Sequence, residues 1–93
     1  MQWKPYDPTW LVELARESCP DEPWLADALA QCIRAAEERS AYIYFIDPAN
    51  PNQPGSEWQF EENIILQHPH EGELVLDILR GQRVAGVEFL QRL

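Results

Sequence analysis

The segment GELVLDILRGQRVAGVEFL, Gly72 to Leu90, leaves the chain the fewest choices. Two runs rich in Val, Ile, Leu and Phe flank RGQR, and such runs around a glycine-bearing turn read as a β-hairpin. With Gly81 and Gln82 as a two-residue loop, Leu79 faces Val84, Leu76 faces Val87 and Leu74 faces Phe89. One side then carries Leu74, Leu76, Ile78, Ala85, Val87 and Phe89, all apolar. The other carries Val75, Asp77, Leu79, Val84, Gly86 and Glu88. A slip of one residue would turn the apolar set to solvent, so this register is the expected one. Its weak point is Arg80 opposite Arg83, a like-charge pair that a longer loop would relieve.

An apolar side needs a cover, and the N-terminal part of the chain supplies helices. DPTWLVELARESC opens with Asp7 as N-cap and Pro8 at the first helical position, where its missing N–H is harmless. Trp10, Leu11, Leu14 and Ala15 share one stripe, and CP ends the helix, predicted over about 8–18. A second helix is predicted over about 22–39, because Trp24, Leu25, Ala28, Leu29, Cys32, Ile33 and Ala36 recur at helical spacing.

After Ser40 the composition shifts to strand formers, giving strands over about 41–46, 58–67, 73–80 and 83–91. In WQFEENIIL, Trp58, Phe60, Ile64 and Leu66 share parity and are expected to point inward, while Glu62 interrupts that row and predicts a bulge or a strand end there. In AYIYFI, Ile43 and Phe45 take one side, and Tyr42, Tyr44 and Ile46 the other. Helices first and strands afterwards predict one α+β domain over residues 1–93. Two N-terminal helices pack on one face of a four-stranded, mainly antiparallel sheet. Its far side would present Tyr42, Tyr44, Ile65, Val75, Leu79 and Val84 among Glu61, Asp77 and Glu88, which is apolar for a bare face.

Sixteen acids against seven bases give a formal charge of −9. Phosphate backbones repel such a chain and basic surfaces attract it, so direct nucleic-acid binding is not expected. Between Arg39 and Arg80 there is no Lys or Arg, while Asp47, Glu57, Glu61, Glu62, Glu71, Glu73 and Asp77 all fall there. Acids around aromatics suit a basic protein partner: charge steers the encounter and desolvated aromatics hold it. The expected contact set is Tyr42, Tyr44, Asp47, Glu57, Trp58, Glu61, Glu62, Glu71, Glu73 and Asp77. The long 47–57 loop is either a rim of that face, stiffened by Pro48, Pro51 and Pro54, or a crossover between strands that are not neighbours.

Enzyme chemistry has little to work with. No nucleophile is paired with a base, no glycine-rich phosphate loop occurs, and both histidines, His68 and His70, fall in one turn. That turn is read as solvated rather than as a metal or cofactor site. Cys19 and Cys32 are too few for a disulfide framework, and two reduced thiols predict a cytoplasmic setting. No apolar run approaches a membrane span, and MQWKPYDPTW lacks a signal-like core, so a soluble protein is expected.

The segment from Gly72 to Leu90 also resembles the closing hairpin of small bacterial immunity proteins encoded beside polymorphic toxins. Size and acidity are similar to theirs. The resemblance implies a non-enzymatic module that binds and neutralises a basic toxin. Two alternatives stand beside it: a structural homodimer pairing through the outward sheet face, and a nucleic-acid mimic occluding a DNA- or RNA-binding protein.

Overall fold

The computed structural model describes residues 1–93. Two helices, α1 (Thr9–Ser18) and α2 (Pro23–Ala30), lie on one face of a six-stranded sheet. The strands are β1 (Lys4–Pro5), β2 (Arg34–Glu38), β3 (Tyr42–Tyr44), β4 (Phe60–His68), β5 (Gly72–Leu79) and β6 (Arg83–Phe89), followed by a short 3₁₀ turn, Leu90–Arg92. Their order across the sheet is β1-β2-β3-β6-β5-β4, and every neighbouring pair is antiparallel. The α+β class agrees with expectation, and the sheet has two strands more than expected. No helix is long and apolar enough to cross a membrane.

Helix α1 forms as its sequence predicts, with the first turn shifted by one residue. The Asp7 carboxylate accepts the Thr9 N–H at 3.0 Å and the Thr9 hydroxyl at 2.6 Å, and Pro8 takes the N-cap position. Those two bonds hold the Asp7 carboxyl below its usual range. Pro20 follows the C-cap residue Cys19, where it cannot continue the turn.

The largest difference lies beyond Ala30. The predicted second helix stops there, and Arg34–Glu38 forms strand β2 instead. Helix preference among Ala, Arg and Glu differs from the alternatives by tenths of a kcal/mol per residue, so tertiary contacts decide. As a strand, RAAEE buries Ala35 among the helix-side residues and Ala36 on the opposite face. It also pairs with β1 on one edge and β3 on the other. Ile33, expected in the helical stripe, is exposed, and its carbonyl accepts the Tyr6 N–H at 2.9 Å.

The closing hairpin matches expectation along most of its length. Leu74 faces Phe89 and Leu76 faces Val87, and their row is buried under the helices. Near the turn the register differs. The chain passes through Arg80, Gly81 and Gln82, with Gly81 and Gln82 at positive φ, so Leu79 faces Arg83 and Ile78 faces Val84. This longer loop separates Arg80 from Arg83, and a bulge at Ala85 restores the register further along. Val84 consequently enters the main core, and Ala85 turns to the other face, the reverse of the expected assignment.

Strand β4 carries the expected irregularity, a register shift between Phe60 and Glu62. Its effect is larger than anticipated. Ile64 and Leu66 keep the inward parity, whereas Phe60 sits opposite Leu79 on the outward face and Trp58 packs there over Leu79 and Ala85. Both aromatics were expected inside.

Residues 45–59 cross from β3 to β4, strands lying at a distance in the sheet. The segment is turn-rich rather than extended: Asn50, Asn52 and Gly55 have positive φ. It bonds to itself, with Asn52 N–H to the Trp58 carbonyl at 2.7 Å and Ser56 Oγ to the Ala49 carbonyl at 3.2 Å. These bonds tie the loop to itself.

Two expectations follow. A Cβ at position 86 would meet the Tyr42 ring at 2.7 Å and the Ile43 carbonyl oxygen at 2.8 Å, and the backbone atom cannot yield cheaply. Gly86→Ala should therefore lower stability by about 1–3 kcal/mol, read as a shift in urea midpoint. Burial pushes the Cys32 thiol up to about 12, whereas Cys19 is part-exposed. A thiol reagent at pH 8 should label Cys19 in the native protein and Cys32 only after denaturation.

Candidate functional site

The face away from the helices has no second layer. Strand pairing sets its side chains in rows. One row runs Glu38, Tyr42, Glu88, Val75 and Ile65 across β2, β3, β6, β5 and β4. The next runs Ala36, Tyr44, Gly86, Asp77 and Asn63. At a strand spacing of about 4.8 Å, the first row is roughly 19 Å wide and sets the carboxylates of Glu38 and Glu88 on either side of Tyr42, with Val75 and Ile65 beyond.

Glycine at position 86 shapes the centre. The Tyr42 ring lies over it, and the Tyr42 and Tyr44 rings pack tilted at 38° with centroids 4.3 Å apart. Tyr44 in turn meets Trp58 edge-on at 6.1 Å. The three rings thus form one continuous ridge, anchored where Trp58 is buried over Leu79 and Ala85. Tyr42, Tyr44 and Val75 remain partly exposed, and Ile65 is 55% exposed. The ridge keeps one flank in solvent.

Carboxylates give this ridge a negative field. Partial burial, reinforced by Glu38 and Glu88, pushes the Tyr44 phenol up. Burial and the Glu88 charge raise the Asp77 carboxyl to about 6, even though Asn63 Nδ2 donates to it at 2.6 Å. Glu73 lies further along β5, hydrogen-bonded by Gln67 at 3.1 Å. Neither row through the tyrosines contains a Lys or Arg.

Of the ten residues expected at a contact face, Tyr42, Tyr44, Trp58, Glu73 and Asp77 come together here. The others do not join the ridge. Asp47 accepts the Ala49 N–H at 2.9 Å inside the crossover loop. Glu57 pairs with Arg83 at 3.1 Å. Glu61 is the bulge residue of β4, and Glu62 lies opposite Ile78 on the helix side. Glu71 holds Arg92 in a two-pronged pair, at 3.0 and 2.6 Å, which lowers its carboxyl below the usual range. Glu38 belongs to the face and was missed, because its segment reads as helix.

Other features of the molecule are committed elsewhere. His68 Nδ1 accepts the backbone N–H groups of His70 and Glu71, at 3.1 and 3.0 Å, so it ties down its own turn. The largest hollow, about 450 Å³, opens at one end of the sheet beside Trp3, Arg34, Phe45 and Arg83. Its arginines are engaged, Arg34 over the Trp3 ring at 5.3 Å and Arg83 with Glu57. Cys32 in its wall stays protonated at neutral pH.

No protein-family model, curated protein or solved structure matches the chain.

Asp77 yields a pH test. Its folded pKa of about 6 exceeds the ordinary 3.8, so the unfolded chain gives up this proton first as pH rises. The group therefore favours folding most below pH 4, and that contribution is lost as pH climbs through about 6. Asp77→Asn should raise the melting temperature at pH 7.5 and leave it nearly unchanged at pH 4.

Proposed function

We propose that this chain is a non-enzymatic binding module whose open sheet face docks a basic protein, in the manner of an immunity protein neutralising a toxin. The observation that carries the reading is the ridge Tyr42–Tyr44–Trp58 set among Glu38, Glu73, Asp77 and Glu88. Rigid aromatics surrounded by like charges supply the two parts of a fast, tight complex. Carboxylates raise the encounter rate with a cationic surface, and ring burial slows its escape.

A basic occupant suits the charges better than a second copy of the chain. Two copies meeting through this face would bring Glu38, Asp77 and Glu88 of one up to the same acidic strip of the other, in a molecule already carrying −9. Neutralisation needs no reacting group here. Covering a cationic active surface is enough to block it.

The reading is tested with a basic protein encoded beside this chain. Co-expression should restore growth when that neighbour alone is toxic, and the purified pair should associate at a rate falling steeply between 50 and 500 mM salt, about the range over which the screening length shrinks severalfold. Tyr44→Ala should weaken the complex by about 30-fold, and Glu88→Lys should slow association without unfolding the protein. A salt-independent rate, or a stable dimer of the free protein through this face in light scattering, would sink the reading.

A further inference from the structure

The two edges of the sheet differ sharply. One ends in β1, only two residues long and followed by a helix. The other is β4, nine residues, FEENIILQH, whose bulge and Glu61–Glu62 pair guard only its start and leave Asn63–Gln67 with no charge, Pro or Gly to discourage pairing. From Glu61 to His68 its backbone groups bond only within the ladder to β5. Half of them therefore face solvent with no partner in the chain, as an edge strand requires. Phe60 and Ile65 on this strand are 39% and 55% exposed, and Ile65 ends the row that begins at Glu38. The row thus breaks off at an apolar side chain beside free backbone donors and acceptors.

We infer that β4 receives an extended segment of a basic partner, added as a seventh strand. The inference rests on the proposed docking role and specifies its geometry. Ladder bonds to Asn63–Gln67 would provide affinity, and alternate side chains would provide selection. On the open face the incoming strand places apolar residues beside Ile65. On the helix face it places Lys or Arg beside Glu62, with Glu61 of the bulge close by. A second copy of this chain is a poorer occupant. Its own β4 would bring two acidic segments side by side, each drawn from the stretch between Arg39 and Arg80 that holds no base.

The probe is a capped octapeptide alternating lysine and valine, with a lysine–proline octapeptide of the same charge as control. Backbone amide exchange is followed by NMR on the full chain. The lysine–valine peptide should slow alternate amides of Asn63–Gln67 by at least about tenfold, and the proline peptide, lacking the N–H groups for a ladder, should leave them unchanged. The double variant Glu61→Lys, Glu62→Lys, at two exposed positions, should lose this protection while spectra elsewhere stay the same. Equal effects from both peptides, or none from either, would overturn strand addition. Changes confined to Tyr42, Tyr44 and Val75 would overturn it too, and would leave the docking face intact. Protection of the same amides in a free dimer would show that the occupant is a second copy. Rescue of growth from the toxic neighbour by this chain is read separately, so failure of either idea is visible without the other.

Discussion

Two short helices must bury one side of a six-stranded sheet, and they suffice for one side only. At 1.5 Å per residue, α1 and α2 are roughly 15 and 12 Å long, about the width of three or four strands each. Leu11, Leu25 and Leu29 close over Leu66, Leu74, Leu76, Val87 and Phe89, and nothing is left to form a third layer. The opposite face covers itself as far as it can. Trp58 folds down from the crossover loop onto Leu79 and Ala85, and the Tyr42 ring lies over Gly86. What remains uncovered is the aromatic and acidic strip, and it is exposed because both helices lie on the opposite face.

The parts legible in the sequence are those where pattern and packing agree. Leu74, Leu76, Val87 and Phe89 alternate cleanly because one side of their hairpin is buried and the other is not, and a single burial contrast determines such a register. Residues 34–38 were not legible because Ala, Arg and Glu are helix formers, and the strand they make is held by pairing with segments distant in sequence. Bulges explain the remaining errors. A bulge changes the facing of every residue beyond it, so Trp58, Phe60, Val84 and Ala85 exchange sides although the neighbouring residues were assigned correctly.

The same physics divides the candidate site. Tyr42, Tyr44 and Asp77 were legible because strand parity alone places them on the uncovered face. Charge alone placed Asp47, Glu57 and Glu71, and charge is a poor guide to position. Glu71 and Glu57 find arginines that arrive from elsewhere in the chain, and Asp47 bonds the backbone of its own loop. Glu38 shows the converse. It stands in the first tyrosine row only because a helix-like segment is extended.

Strand order carries a consequence for biosynthesis. β6 is the last of the six strands to be made and lies at the centre of the sheet, between β3 and β5. Until residues 83–89 emerge, the nascent chain can form only two separate ribbons, β1–β3 and β4–β5, with no strand to join them. Each would hold an unsatisfied border facing the gap. The sheet therefore closes in one late step, like an arch receiving its middle stone, and a ribosome stalled before Arg83 would present two sticky halves rather than a partly finished domain.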